Sequence, residues 1–177
     1  LDDWRTLTDV LAPVTVRRSA QVKHLELMGG GTLDFWSLDN QGSTDSIRGK
    51  KFARFLVNEC GFVSHMMDAW NMVIRSTLID YQGDAYFGGT PKGMNGFWQL
   101  FNTTGHEWGR WQMSSNTHPH IPASELDVLK LTMSEHAWQQ EILGQFIADG
   151  AGVFRNIRAL STLLPVDPLP AHRYLIG

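Results

Sequence analysis

The chain has 177 residues, 15 Lys and Arg against 18 Asp and Glu, and a net charge of −3. Hydrophobic residues at 42% and charged residues at 19% exclude a disordered chain or a coiled coil, and a single cysteine, Cys60, excludes a disulfide framework and a cysteine-based zinc site. No apolar run reaches membrane-spanning length and the balance is slightly acidic, so the expectation is one soluble intracellular domain of ordinary size without a general nucleic-acid footprint.

Trp4, Leu7, Val10 and Leu11 share one face of a predicted helix over 1–12, which Pro13 stops. Residues 21–39 predict a β-hairpin: partial alternation over Gln21–Met28, a turn at Gly29-Gly30-Gly31, then alternation over Thr32–Leu38. Residues 40–50 read as a polar loop. Ala53–Asn58 is a short apolar run without alternation, which predicts a strand buried on both faces of a parallel sheet. Met66, Met67, Trp70, Val73, Ile74, Thr77 and Leu78 recur at helical spacing and predict a helix over 64–79. Asp84–Gly89 predicts a second strand. Strand, helix and strand over 53–89 make a βαβ unit with parallel neighbours.

Beyond it, the pattern predicts a short helix over 95–102, a strand over 108–114 and a helix over 123–131. Thr132-Met-Ser-Glu135 has capping-box spacing ahead of a last helix ending near Phe146. Residues 155–172 carry Pro165, Pro168 and Pro170 and have linker composition. The chain opens on Leu and closes on Arg173-Tyr-Leu-Ile-Gly177, which reads as a strand just beginning, so both ends look like cuts within a longer protein.

Two features bear on chemistry. Phe55-Leu-Val-Asn-Glu59 delivers a carboxylate to the C-terminal end of a strand, where parallel sheets bind ligands and where a carboxylate can orient and activate water. Gly88-Gly-Thr-Pro-Lys-Gly93 closes the next strand, and its glycines and hydroxyl suit an approach to phosphate. Each alone also fits an ordinary strand end or turn. Jointly they place Glu59 and Thr90, 31 residues apart, at one sheet edge. The histidines form no His-Glu-x-x-His pattern and read as surface or partly buried residues. Trp70 and Trp98 fall on apolar helix faces. Trp108 and Trp111 suit a core or subdomain interface better than base stacking.

An ordered series extends these motifs. It runs Arg48-Gly49, Phe55–Glu59, Gly89-Thr-Pro-Lys-Gly93 with Phe97-Trp98, Ser115-Asn-Thr-His-Pro-His-Ile121, and Gln140–Phe146 ending in Gly152-Val-Phe154. Over about residues 20–155 it resembles the large terminase subunit of tailed bacteriophages, the ATPase of the DNA-packaging motor. The resemblance implies an α/β fold: an incomplete P-loop NTPase core of the ASCE type with parallel strands over 1–114. A small helical linker subdomain over 115–155 follows, then a Pro-rich linker and the start of a truncated nuclease domain over 156–177. It assigns Glu59 as the catalytic, water-activating acid and Gly89, Thr90 and Pro91 as the motif coupling phosphate state to movement. Asn58 stands where the family has a magnesium-holding Asp, and Arg48 matches the family's Arg-Gly.

The implied cofactors are ATP and magnesium in the full-length protein, with none bound by this segment alone. The implied partners are double-stranded DNA, the terminase small subunit and the portal protein, in the cytoplasm of the infected host and away from any membrane. No G-x-x-x-x-G-K-[ST] loop occurs in the sequence, so the segment alone is expected not to hydrolyse ATP. A non-catalytic interaction module on the same fold, or part of another ASCE enzyme such as a helicase, stays open at this point.

Overall fold

The computed structural model describes residues 2–148. The Pro-rich linker, the nuclease strand at its end and the Gly152–Phe154 end of the ordered series lie outside the described residues.

The first helix, α1 (Asp2–Val10), forms as its apolar spacing predicts, and the chain then tightens into a 3-10 turn, Ala12–Val14, around Pro13. Three short strands follow as an antiparallel meander, β1 (Thr15–Ser19), β2 (His24–Leu27) and β3 (Thr32–Asp34). The β2–β3 hairpin is the predicted one. Its turn needs glycine because Gly29 and Gly30 take φ of +92° and +86°. Strand β1 has no counterpart among the predicted elements. Its Arg17 sits opposite Glu26 across the ladder and pairs with it at 3.4 Å. Leu25 of β2 is fully buried, and Trp4 of α1 meets Phe35 edge-on at 5.0 Å.

The segment read as a loop over 40–50 contains a one-turn helix, α2 (Gln41–Asp45). Asn40 supplies the reason: its side-chain oxygen accepts the Ser43 N–H at 2.9 Å, satisfying one of the orphan donors of the first turn. The buried Thr44 hydroxyl and His65 Nε2 lie 2.9 Å apart, which ties α2 to the segment ahead of the next helix.

The βαβ unit forms as predicted. Strands β4 (Arg54–Val57) and β5 (Asp84–Phe87) are parallel neighbours, in register from Arg54 opposite Asp84 to Val57 opposite Phe87. Their crossover is a continuous rod of α3 (Met66–Ala69), a π segment Trp70–Ile74 and α4 (Arg75–Thr77). Met66, Ala69, Val73 and Ile74 are fully buried on it and join Phe55 and Val57 of β4 in one core with Ile47, Cys60, Phe97 and Leu100. Truncating a fully buried side chain of this size to alanine costs about 2–5 kcal/mol, so this stripe fixes the rod on one face of the sheet.

The expectation of a strand buried on both faces is corrected. Phe55 and Val57 are 9% and 6% exposed, whereas Leu56 between them is 68% exposed. Among the described residues the crossover covers one face only. The other carries a bidentate Arg54–Asp84 pair, both bonds at 2.7 Å, with the guanidinium 5.1 Å from the Tyr86 ring centre. That hydrogen-bonded partner holds the Asp84 carboxyl below its ordinary range.

After β5, Asn95 caps α5 (Gly96–Phe101), whose Phe97 and Leu100 point into the core. Residues 108–114, expected as a strand, run without strand pairing. The two tryptophans there divide: Trp108 packs against Trp70 and Phe87, while Trp111 is 76% exposed. Then come α6 (Ala123–Thr132) and α7 (Glu135–Ala137), the latter continuing into a π segment Trp138–Ile142. The expected capping box does not form: the cap sits two residues later and is a single N-cap bond, because the residue three beyond Ser134 is Ala137. Ser134, not Thr132, accepts the Ala137 N–H at 3.1 Å, and Thr132 instead closes α6. The last helix stops at Ile142 rather than near Phe146, because Gly144 takes a left-handed φ of +62°. Phe146 then turns back onto Phe97 and Phe101, with ring centres 5.3 and 5.1 Å away.

Candidate functional site

The C-terminal ends of β4 and β5 are where the sequence places its candidate residues, and the backbone there is unusual. Asn58 leaves β4 exposed to solvent, and Glu59 follows in the left-handed region at φ +54°, ψ +42°. A non-glycine residue in this region costs about 1–2 kcal/mol, so neighbouring structure must hold it. Two hydrogen bonds do so. The Gly88 N–H donates to the Val57 carbonyl and the Cys60 N–H donates to the Gly88 carbonyl, both at 2.9 Å, continuing the parallel ladder beyond the strands. Glu59 then opens a 3-10 turn, Cys60–Phe62, closed by the Phe62 N–H on the Glu59 carbonyl. Cys60 is fully buried with its thiol donating to the Val57 carbonyl. Burial pushes that thiol up to about 12. It is therefore a neutral anchor under the turn and not a nucleophile.

The Gly88–Gly93 segment crosses this turn at backbone contact. Gly89 has φ +142°, and a Cβ on it would lie 2.9 Å from the Glu59 Cα and 3.0 Å from the Cys60 nitrogen. A Cβ on Gly61 would lie 2.3 Å from the Thr90 carbonyl oxygen. No side chain fits at either crossing, so the two glycines let the strand ends interlock. Glu59 is exposed, Thr90 is half-buried, and Pro91 and Gly93 are buried. Glu59 and the Gly89–Pro91 segment thus meet at one edge of the sheet. Arg48 is engaged elsewhere: its Nε donates to Asp45 at 2.8 Å and its Nη1 to the Met72 carbonyl, in the middle of the π segment, at 2.9 Å.

Two residues that the sequence reading left without a role also reach this edge. Lys92 is ion-paired with Glu141, and its ammonium stands 5.0 Å from the Phe62 ring centre. The only signal for Lys92 was its place beside Thr90-Pro91, and nothing in the local sequence relates it to a residue 49 positions on.

The arrangement offers an exposed carboxylate and a hydroxyl at the C-terminal edge of parallel strands. The carboxylate can take a proton from water, and the hydroxyl can donate to an anion. Among the described residues no three His, Cys, Asp or Glu side chains converge as a metal cage. The carboxylate of Glu59 and the amide of Asn58 are a donor set suited to magnesium that arrives on a phosphate and keeps most of its water.

A family model described as "Terminase large subunit, T4likevirus-type, N-terminal" matches residues 6–160. The large terminase subunit of Escherichia phage T5 is 23% identical over 150 residues, covering 82% of this chain and 34% of that protein, so the chain spans about a third of its curated relative. Among solved structures, the large terminase ATPase domain of Thermus phage P74-26 superimposes with a TM-score of 0.60 at 18% identity, covering 81% of this chain and 67% of that one. A point mutant of that same domain gives 0.61 at 17% identity, covering 81% and 68%. At these identities the superpositions establish the fold.

Proposed function

Because this chain belongs to the terminase large subunit family, in the N-terminal region of its T4likevirus type, we propose that it is part of the ATPase of a phage DNA-packaging motor. The observation that carries this reading is the backbone interlock that puts Glu59 beside Gly89-Thr90 at the C-terminal edge of two parallel strands. In this reading Glu59 orients the attacking water and takes its proton, and the fixed backbone around it supplies the orientation. Thr90 donates its hydroxyl to the terminal phosphate, so the segment that carries it registers whether that phosphate is present. Asn58 would help hold magnesium through its side-chain carbonyl oxygen, and as a neutral amide it would be a weaker partner than a carboxylate. Magnesium, when bound, neutralises charge on the phosphate oxygens.

The remaining assignments follow from the family. The motor moves double-stranded DNA into a procapsid, works with a small terminase subunit and a portal protein, and does so in the cytoplasm of the infected bacterium. Residues 115–155 serve as a linker subdomain, ahead of a Pro-rich linker and the start of a nuclease over 156–177. The segment supplies the acid and the coupling loop but has no Walker A sequence to cradle phosphate. Residues 1–177 alone therefore release no phosphate from Mg-ATP, while the full-length protein turns over. Turnover by the isolated segment near one per second, within the ordinary enzyme range, abolished by Glu59→Gln, would overturn the assignment of the missing cradle.

A further inference from the structure

Three pieces of chain meet at Lys92. Its Cβ and Cγ lie 3.4 and 3.1 Å from where a Cβ on Gly61 would stand, so its stem rests on the turn that begins at Glu59. Its ammonium faces the Phe62 ring of that same turn and is paired with the Glu141 carboxylate from the π segment after α7. The clasp is doubled next door: the Gly93 N–H donates to the Gln140 side-chain oxygen at 3.4 Å, and Gln140 in turn donates to Glu141 at 3.2 Å. The cation is held in this position by groups from both sides, and the pairing draws the Glu141 carboxyl below its ordinary range. The 138–146 segment is also attached elsewhere. Gln112 donates to the Gly144 carbonyl, Ser114 donates to the Ile142 carbonyl, and Phe146 packs on α5. These other attachments reach residues 97–114. The Lys92–Gly93 clasp reaches the loop that carries Thr90.

We propose that Lys92 is a positioning residue that transmits the placement of the Gly89–Gly93 loop to the Ser134–Phe146 segment through Glu141. The proposal rests on the reading of Glu59 and Thr90 as the hydrolytic edge, and gives that edge its mechanical output. Loop movement shifts the ammonium, the ion pair carries the shift to the π segment, and the Phe146 attachment serves as the pivot.

Two readouts test it. The first is amide hydrogen exchange in residues 1–177, with the Leu143 and Gln145 amides as reporters because they bond to Trp138 and Gln139 within the clasped segment. Lys92→Met and Glu141→Gln should each speed their exchange about two- to fivefold, the scale of a partly exposed ion pair. The charge swap of Lys92→Glu with Glu141→Lys should restore protection. Unchanged exchange in both single variants overturns the proposal, and so does a swap that fails to restore it. The second is base pairs packaged per ATP hydrolysed by the full-length motor. Lys92→Met should lower this ratio about two- to fivefold, and an unchanged ratio overturns the proposal. If Glu59→Gln leaves full-length ATP turnover intact, the hydrolytic reading itself fails, whatever the exchange data show.

Discussion

If Glu59 is the proposed general base, Glu59→Gln in the full-length protein should lower ATP turnover about 10²- to 10⁴-fold, the ordinary contribution of such a group. Gln keeps the volume of Glu and can still orient a water, but it cannot take the proton. The fold is a separate matter. Glu59 is exposed, and its left-handed conformation is enforced by backbone bonds from Cys60 and Gly88 rather than by its side chain. The substitution should therefore leave stability within about 0.5 kcal/mol. Phosphate release and thermal melting on the same preparation separate the two effects. A full-length Glu59→Gln protein that turns over within threefold of the parent removes Glu59 from the chemistry.

The second large effect is on the interlock. Gly61→Ala places a methyl 2.3 Å from the Thr90 carbonyl oxygen, a distance that backbone cannot tolerate, so either the turn or the loop must retreat. Overpacking of this kind costs about 1–3 kcal/mol. For a chain of this size that is a melting temperature lower by roughly 2–12 °C. Gly88→Ala is the matched control two residues before Thr90: its Cβ would meet nothing within 4 Å and its φ is not in the glycine-favouring region. It should melt with the parent. In the full-length protein Gly61→Ala should also lower ATP turnover, because it separates the Glu59 turn from the Thr90 segment. Equal melting and turnover for Gly61→Ala and Gly88→Ala would show that the two strand ends are not in contact.

The parallel pairing was legible from two short apolar runs flanking a helix-period stretch, because β4, the rod and β5 follow local pattern. The placement of Glu59 near Thr90 was legible for the same reason: both sit at strand ends on one side of a crossover. Three things were not. The left-handed conformation of Glu59 has no local signature, since the forces that impose it come from Gly88, about 30 residues away. The alternation of Phe55 and Val57 with Leu56 was read as uniform burial, because apolar character is the same for a covered and an uncovered side chain. The 108–114 run has strand-forming residues, but its chain turns to reach the 142–144 carbonyls through Gln112 and Ser114. Such long-range bonds are invisible to pattern, as is the meeting of Lys92 with Glu141. The order of family-like motifs carried what local propensity could not, and the family match over residues 6–160 bears it out.

Nuclear Overhauser spectroscopy on residues 1–177 reads the contact of the two strand ends directly, without any nucleotide. Strong cross-peaks are expected from a Gly89 α-proton to the Glu59 α-proton and to the Cys60 amide, alongside the parallel pattern between Arg54–Val57 and Asp84–Phe87. Cross-peaks placing Glu59 and Gly89 in separate neighbourhoods, or an antiparallel pattern between the two strands, would contradict it.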